Sequence, residues 1–534
     1  MLVDSLGHGK GHGHGESGYH VPTMSTTFER SAGVLLHPTC LPSRFGIGDL
    51  GPDALGYVEW LAQAGVTWWQ VLPLNPPGAA HSPYSCPSSF AGNTLLVSPQ
   101  LLLEDGLLEP SDLADAPTFP DYTVEYERVI PFKESLLRRA FAVFTSSPPM
   151  GMDVELDDFR ERHRAWLDSY ALFAALKAAH GGDQWLRWPE ELAAAEPRAL
   201  AVWRRTHEED VAFEAFAQFL FFRQWSALRE AANERGVRIL GDIPIFVDHD
   251  SADVWANREL FLLDASGRPT SVSGVPPDYF SETGQLWGNP LYDWSRMADD
   301  GFAWWVARFC HALGLVDAAR LDHFRGFVAH WQVPAEATVA TNGAWVAGPG
   351  AALFETVRER LGGLPFVAED LGHITEDVVQ LRRELDLPGM AILHFGFSPR
   401  PRSLFIPYAH TVDLVVYTGT HDNNTSVGWY LEDASADEQD LFRRYAGSVG
   451  ETVHWDMIRL ALGSPALLAV IPHQDLAGLG SDCRMNRPGV ADGNWRFRIT
   501  PWMLDDPIRD RLADLVWTYG RAPEPEIEAG EGET

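Results

Sequence analysis

Arginine and aspartate side chains follow a short apolar run in the middle of the 534-residue sequence. The run begins at Leu315 and Val316, has the character of a buried strand, and ends at Arg320 and Asp322. Because side chains alternate between the two faces of a strand, Arg320 and Asp322 are predicted to project to the same side. An adjacent guanidinium favours the ionised carboxylate, which is the form that a covalent nucleophile needs. A purely structural ion pair is the alternative at this point.

Two further apolar runs also end in acidic residues. Residues 364–368 lead into Glu369, and residues 413–417 lead into the segment that contains Asp422. If the three runs are parallel strands of one barrel, their carboxyl ends meet at the same rim and the three carboxylates converge. Three converging carboxylates suit retaining glycoside chemistry, with a nucleophile, an acid/base and a group that stabilises the positively charged transition state.

The elements that must position these residues alternate along the chain between strand-like runs and helical patterns. This alternation predicts an α/β fold, a (β/α)8 TIM barrel with large insertions between barrel strands. The predicted strands are 33–38, 67–74, 237–247, 318–322, 366–369, 391–395, 412–417 and 466–471. The clearest predicted helices are 53–64, 157–180, 208–235, 353–360, 375–385 and 505–515.

The length of the chain leaves room for a barrel and for additional units. We expect a catalytic barrel over 29–520, with inserted subdomains at about 75–236 and about 248–312. The leader 1–28, rich in Gly and His, is expected to be disordered or added for expression. The segment 521–534, which carries glutamates among Pro, Ala and Gly, is expected to be a disordered acidic tail.

Composition excludes several classes of partner. The net charge of −33 argues against nucleic acid and against anionic membranes, both of which need a basic surface. No run of 18 apolar residues predicts a membrane span, and no secretory signal is recognisable. The four cysteines lack metal-ligand spacing, which favours a reduced, cytoplasmic enzyme without a metal. The sequence shows no glycine-rich phosphate-binding loop, so no nucleotide cofactor is predicted. The 20 tryptophans offer platforms for sugar rings.

Motifs along most of the chain, from about Gly33 to Arg498, resemble those of the amylomaltases. These are 4-α-glucanotransferases of glycoside hydrolase family 77, related to the α-amylase superfamily. The matching segments are SPY (82–84), FAGN (90–93), GVPPDYFS (274–281), GQLWGNP (284–290), RLDH (320–323), AEDLG (368–372), GTHDN (419–423), RMN (484–486) and GNW (493–495).

The resemblance implies roles for individual residues. It implies that Asp322 is the nucleophile, Glu369 the acid/base and Asp422 the stabiliser of the transition state. It further implies a set of sugar-binding residues, with Asp242 in a supporting position: Tyr84, Asp242, Asp278, Tyr279, Phe280, Gln285, Trp287, Arg320 and His421. Loop 274–281 is expected to be ordered by glucan rather than by a core.

The implied reaction is transfer of an α-1,4-glucan segment, by retaining double displacement, to the 4-hydroxyl of another glucan or of glucose. The implied partners are maltooligosaccharides, amylose and glucose, and no cofactor or metal is implied. An α-amylase-type hydrolase is the first alternative, because the same intermediate can be resolved by water. A non-catalytic glucan-binding protein is the second, and the presence of all three carboxylates disfavours it.

Overall fold

Parallel strands form a barrel in the computed structural model, which describes residues 28–277, 282–398 and 403–523. The terminal segments predicted as leader and tail, 1–27 and 524–534, lie outside these ranges. The strands in chain order are β1 (Ser31–Leu35), β2 (Trp68–Gln70), β3 (Arg238–Ile243), β4 (Ser271–Val275), β5 (Gln285–Pro290), β6 (Ala318–Leu321), β7 (Ala329–Pro334), β8 (Ala344–Ala347), β9 (Phe366–Ala368), β10 (Gly389–Ile392), β11 (Leu414–Tyr417) and β12 (Leu468–Pro472).

Within the described residues, eight parallel strands pair in the order β10-β11-β12-β1-β2-β3-β6-β9. The first and last strands of the chain are neighbours, with Ser31 opposite Leu468. The remaining gap lies between β9 and β10, where the backbone N–H of Ala368 donates to the carbonyl of Pro388 at 2.9 Å. The predicted (β/α)8 TIM barrel is confirmed.

Each predicted barrel strand overlaps an observed one, and most differences are at the ends. The predicted strand 237–247 ends at Ile243, because Pro244 has no N–H to donate to a ladder. Asp322 lies just beyond β6, and its N–H still bonds to the carbonyl of Ile243 at 3.0 Å. These ends place the polar residues on the carboxyl rim of the barrel.

Helices connect and surround the strands, and the longest of them agree with the predicted ranges within a few residues. Helix Glu208–Glu234 docks on the barrel, since the Trp225 indole donates to the carbonyl of Leu315 at 2.8 Å. The α-helices are Pro52–Gln63, Pro99–Glu104, Pro110–Ala114, Tyr126–Ser146, Met152–Ala179, Glu190–Ala193, Pro197–Thr206, Glu208–Glu234, Ala252–Ala256, Trp294–Asp299, Ala303–Leu315, Ala351–Leu361, Glu376–Glu384, Ser426–Gly428, Ala436–Ala446, Val453–Gly463, His473–Leu476 and Asp506–Thr518. Across the described part of the chain, no helix is long and apolar enough to span a membrane.

A second, antiparallel sheet was not predicted. Its strands pair in the order β5-β4-β7-β8, so segments that follow two different barrel strands, β3 and β6, come together. Its small apolar core contains Val272, Val333 and Ala340. The expectation that loop 274–281 lacks a core is therefore wrong for its first two residues, which belong to β4.

Arg521 connects the start of β1 to the segment that precedes β12. Its side chain is fully buried and donates to the carbonyls of Ser31, Leu462, Ser464 and Ala466 at 2.7–2.9 Å. The prediction that the disordered tail begins at 521 is therefore wrong at its first residue. A guanidinium with several donors can satisfy carbonyls that the strands leave unpaired, and this holds the segment in place.

Candidate active site

The three predicted carboxylates lie at the carboxyl ends of three barrel strands. Asp322 follows β6 and Glu369 follows β9, and the Glu369 N–H bonds to the carbonyl of Leu321 at 3.1 Å. Asp422 follows β11 in the turn after Tyr417. The carboxylates are close enough that Glu369 and Asp422 both raise the pKa of Asp322. The structure therefore brings the three groups into one electrostatic unit.

A single buried guanidinium connects two carboxylates of this site. Arg320 Nη1 donates to both oxygens of Asp242, at 2.8 and 2.7 Å, and Nη2 donates to Asp322 Oδ1 at 2.8 Å. The Asp242 side chain is fully buried and also accepts the Tyr84 hydroxyl at 2.7 Å. Arg320 and Asp322 do project to the same side, as strand alternation predicts.

Opposing effects act on the pKa of the Asp322 carboxyl, so the expectation that Arg320 keeps it ionised stays a prediction. Burial raises the pKa of the Asp322 carboxyl more than Arg320 lowers it, and the Asp242 carboxylate raises it further. Burial also raises the pKa of Glu369 against the opposing effect of Arg320. Burial is the main cause, and Arg320 offsets it only in part because its one positive charge is divided between two carboxylates. The site can therefore hold a proton close to neutral pH, as an acid/base catalyst requires.

Backbone N–H groups orient Glu369. The N–H of His323 donates to Glu369 Oε2 at 2.7 Å, and the N–H of Leu371 donates to Oε1 at 3.1 Å. His323 has a left-handed backbone conformation, with φ at 51°. This conformation follows directly after Asp322, so the turn that presents the predicted nucleophile also holds the predicted acid/base. His323 was given no role from the sequence beyond its place in the RLDH motif.

Asp422 is held from two sides. Asn486 Nδ2 donates to Asp422 Oδ1 at 2.6 Å, and His421 Nε2 lies 3.4 Å from the same oxygen. The Arg484 guanidinium donates to the Asp422 backbone carbonyl. Asn486 in turn donates its backbone N–H to the carbonyl of His421 at 3.1 Å. Sequence reasoning assigned no function to Asn486, although it closes the RMN motif.

Aromatic rings line the site on the side of Tyr84. The Tyr84 and His421 rings stack with centroids 5.1 Å apart and planes 14° apart, and Trp495 lies within 6 Å of both. Burial lowers the pKa of His421, although Asp422 opposes this effect. A lowered pKa favours the neutral imidazole, which has one N–H donor and one acceptor nitrogen.

Gln285 and Trp287 lie farther out, on the exposed strand β5. The Trp287 indole donates to Gln285 Oε1 at 3.2 Å, and its ring meets His323 edge-on at 4.8 Å. Trp287 remains 39% exposed, so much of its ring is open. The predicted sugar-binding residues Asp278, Tyr279 and Phe280 lie outside the described residues. In the part of the chain that the structure describes, no group of three or more His, Cys, Asp or Glu side chains could hold a metal ion.

Comparison with known proteins identifies the family. The sequence model of the 4-alpha-glucanotransferases, glycoside hydrolase family 77, matches residues 36–504. The chain belongs to this family. The 4-alpha-glucanotransferase of Synechocystis sp. is 48% identical over 497 residues, which cover 92% of this chain and 98% of that protein. That of Thermus thermophilus is 46% identical over 495 residues, with 91% and 98% covered.

A solved structure agrees with the family assignment. The amylomaltase from Streptococcus agalactiae in complex with acarbose superposes with a TM-score of 0.90 at 33% sequence identity. The match covers 93% of this chain and all of that one. The predicted family and the predicted 4-α-glucanotransferase activity are therefore confirmed, and the alternative of a glucan hydrolase is not favoured.

Proposed function

We propose that this family member transfers α-1,4-glucan segments by double displacement, with Asp322 as nucleophile and Glu369 as acid/base. The observation that carries the proposal is the joint anchoring of both groups. Arg320 holds the carboxylate of Asp322, while the turn at His323 donates a backbone N–H to Glu369. The turn after β6 thus carries Asp322 and also holds Glu369, which follows β9, in the fixed arrangement that two successive displacements at a single carbon require.

The first displacement begins with Glu369 protonated and Asp322 ionised. Asp322 forms a bond to the anomeric carbon, the bond from that carbon to the glycosidic oxygen breaks, and the proton of Glu369 passes to the leaving oxygen. The second displacement reverses these steps. Glu369 takes the proton from the 4-hydroxyl of the acceptor, whose oxygen replaces Asp322 on the anomeric carbon. The two inversions together retain the configuration.

Asp422 and the residues around it stabilise the sugar while it is positively charged. The carboxylate of Asp422, fixed by Asn486 at 2.6 Å, provides negative charge that needs no rearrangement during the reaction. His421 hydrogen-bonds the sugar, and Tyr84 supplies an aromatic surface beside it. Asp242 acts mainly by orienting Arg320, which agrees with its complete burial.

The remaining sugar contacts are assigned to the outer part of the site. Trp287 stacks on a sugar ring, an assignment supported by its open face, and Gln285 hydrogen-bonds to hydroxyls. Asp278, Tyr279 and Phe280 complete this group in the proposal.

The donors and acceptors are maltooligosaccharides, amylose and glucose, and the enzyme works in the cytoplasm. Free cysteines are consistent with a reducing compartment. The functional unit is a catalytic barrel over 29–520, with subdomains at about 75–236 and about 248–312. The helices between Pro99 and Glu234 support the first of these subdomains.

The test of the assigned roles is a trapping experiment. Glu369→Gln is incubated with an α-maltosyl fluoride, whose leaving group needs no proton. We expect a glycosyl adduct that persists, because no base activates the acceptor, and mass spectrometry should locate it on Asp322. The matched control, Asp322→Asn combined with Glu369→Gln, should carry no adduct. An adduct on Asp422, or a product of inverted configuration, would overturn the assignment.

A second experiment tests the substrates. Pure maltotriose should yield glucose and a ladder of longer maltooligosaccharides, while the number of reducing ends stays nearly constant. A steady increase in reducing ends without longer products would contradict transfer between these substrates.

A further inference from the structure

An exposed tryptophan on the antiparallel sheet has no role in the chemistry described above. Trp345 lies in β8, an edge strand in which every residue is exposed, and 37% of Trp345 remains accessible. An exposed indole offers an apolar face on which a ligand can stack.

The ring of Trp345 is held firmly on its inner side. The Arg325 guanidinium carbon lies 3.8 Å from the ring centroid, and Trp331, its partner across the sheet, meets it edge-on at 5.2 Å. Arg325 is itself buried and donates to the Thr375 hydroxyl at 2.9 Å. Because the ring is already fixed, the Trp345 side chain loses little conformational freedom when a ligand stacks on it.

Two of the three loops that carry catalytic carboxylates, those of Asp322 and Glu369, lie against this tryptophan. Arg325 belongs to the turn Phe324–Phe327, which begins two residues after Asp322. On the other side, the ring of His373, four residues after Glu369, lies 6.5 Å from that of Trp345 at an angle of 22°. Trp345 therefore lies beside the segments that follow Asp322 and Glu369.

We propose that Trp345 is a stacking platform for the outer glucose units of the acceptor chain. The inference rests on the proposed function, in which Glu369 exchanges a proton with the 4-oxygen of the leaving or entering chain. That chain extends away from Glu369, and the inference places its outer units on the exposed ring beside the loop that follows Glu369. The ligand is an α-1,4-glucan of several units, whose apolar ring faces suit an indole. Glucose alone occupies only the position next to Glu369 and does not reach the platform.

The surface favours a sugar over a protein partner. β8 is four residues long, and Trp345 is its one aromatic side chain. A stable protein partner usually buries about 800 Å² on each side, far more than one short edge strand presents. Association with a second copy through β8 is nevertheless a distinguishable outcome of the test.

The test compares acceptors of different length for wild type, Trp345→Ala and Trp345→Phe. With one donor, the initial rate of transfer is measured to labelled glucose and to labelled maltotetraose. We expect Trp345→Ala to lower the ratio of kcat/KM for maltotetraose to that for glucose about five- to tenfold. Trp345→Phe, which keeps a ring, should lower it less. The matched control is Trp517→Ala, which removes a 75% exposed tryptophan from helix Asp506–Thr518 and should preserve the ratio.

Each other outcome rejects the platform. An unchanged ratio in Trp345→Ala, or an equal loss with both acceptors, would show that Trp345 only packs against Arg325. A dimer in the wild type that becomes a monomer in Trp345→Ala, with the ratio unchanged, would assign β8 to self-association. Failure of the wild type to transfer to either acceptor would instead refute the proposed function, so the two failures are distinguishable.

Discussion

Replacing Asp242 with asparagine should change the pH dependence of the enzyme in a direction that the structure determines. Asp242 and Asp322 share Arg320, and the charge of Asp242 raises the pKa of Asp322. Asparagine keeps the size and removes the charge. The carboxylate of Asp322 then becomes the main charged partner of Arg320, so its pKa falls.

The size of the shift can be worked out from the geometry. Two carboxylates bridged by one guanidinium lie about 7 Å apart, and at an effective dielectric constant of about 20 their repulsion is roughly 2 kcal/mol. That energy corresponds to about 1.5 pH units. Asp322 must be ionised to attack, so the acid limb of kcat/KM reports the carboxyl group that loses its proton in the free enzyme. We expect the limb to move to lower pH by about 1 unit or more in Asp242→Asn.

The assay is initial transfer from maltotriose between pH 4 and pH 9, with a melting curve at each end to confirm that the protein is folded. The overall rate should also fall, because asparagine keeps only one of the two oxygens that accept from Arg320 and carries no negative charge. Tyr84→Phe is the matched control, since it removes a hydrogen bond to Asp242 but no charge, and its limb should stay in place. An acid limb that is unchanged in Asp242→Asn, or that moves to higher pH, would refute the reasoning.

Two further predictions concern a polar contact and a packing contact. Asn486→Ala removes the donor 2.6 Å from Asp422 Oδ1, so kcat should fall about tenfold or more with a smaller change in KM, and an unchanged kcat would contradict the role of this contact. Gly92→Ala would place a methyl group 1.9 Å from Phe221 Cδ1, so the free energy of unfolding should fall by about 1–3 kcal/mol. Gly314→Ala meets no atom within 4 Å inside helix Ala303–Leu315 and should raise the Tm, and equal melting curves for the two variants would contradict this account.

The barrel and its three carboxylates could be predicted from the sequence because their signals are local. A short apolar run that ends in Asp or Glu indicates a buried strand and the residue at its rim, and β6, β9 and β11 all follow this pattern. The antiparallel sheet has no such signal. β5 contains Gly288, Asn289 and Pro290, which are poor strand formers, and the sheet is completed by β7, which follows a different barrel strand and pairs with β4.

Two features of the site could not be predicted from the sequence: a backbone hydrogen bond to Glu369 and the charged neighbours of Asp322. The N–H of His323 that holds Glu369 depends on a left-handed conformation, not on the identity of the histidine side chain. The pKa of Asp322 depends in part on the charge of Asp242, which also pairs with Arg320. That effect can be predicted only if Asp242 is known to lie on the neighbouring strand β3. Spatial neighbours of this kind cannot be deduced from spacing along the chain.

The pairing of the first barrel strand with the last has a consequence for synthesis. β1 pairs with β12, yet β12 leaves the ribosome last among the barrel strands of the described residues. At about 5–20 residues per second, one edge of β1 waits on the order of a minute for its partner. An open strand edge can pair with other nascent chains during that time. A circular permutant that begins between β9 and β10 would synthesise the eight barrel strands in the order in which they pair and leave only the Ala368–Pro388 junction of the barrel to close at the end.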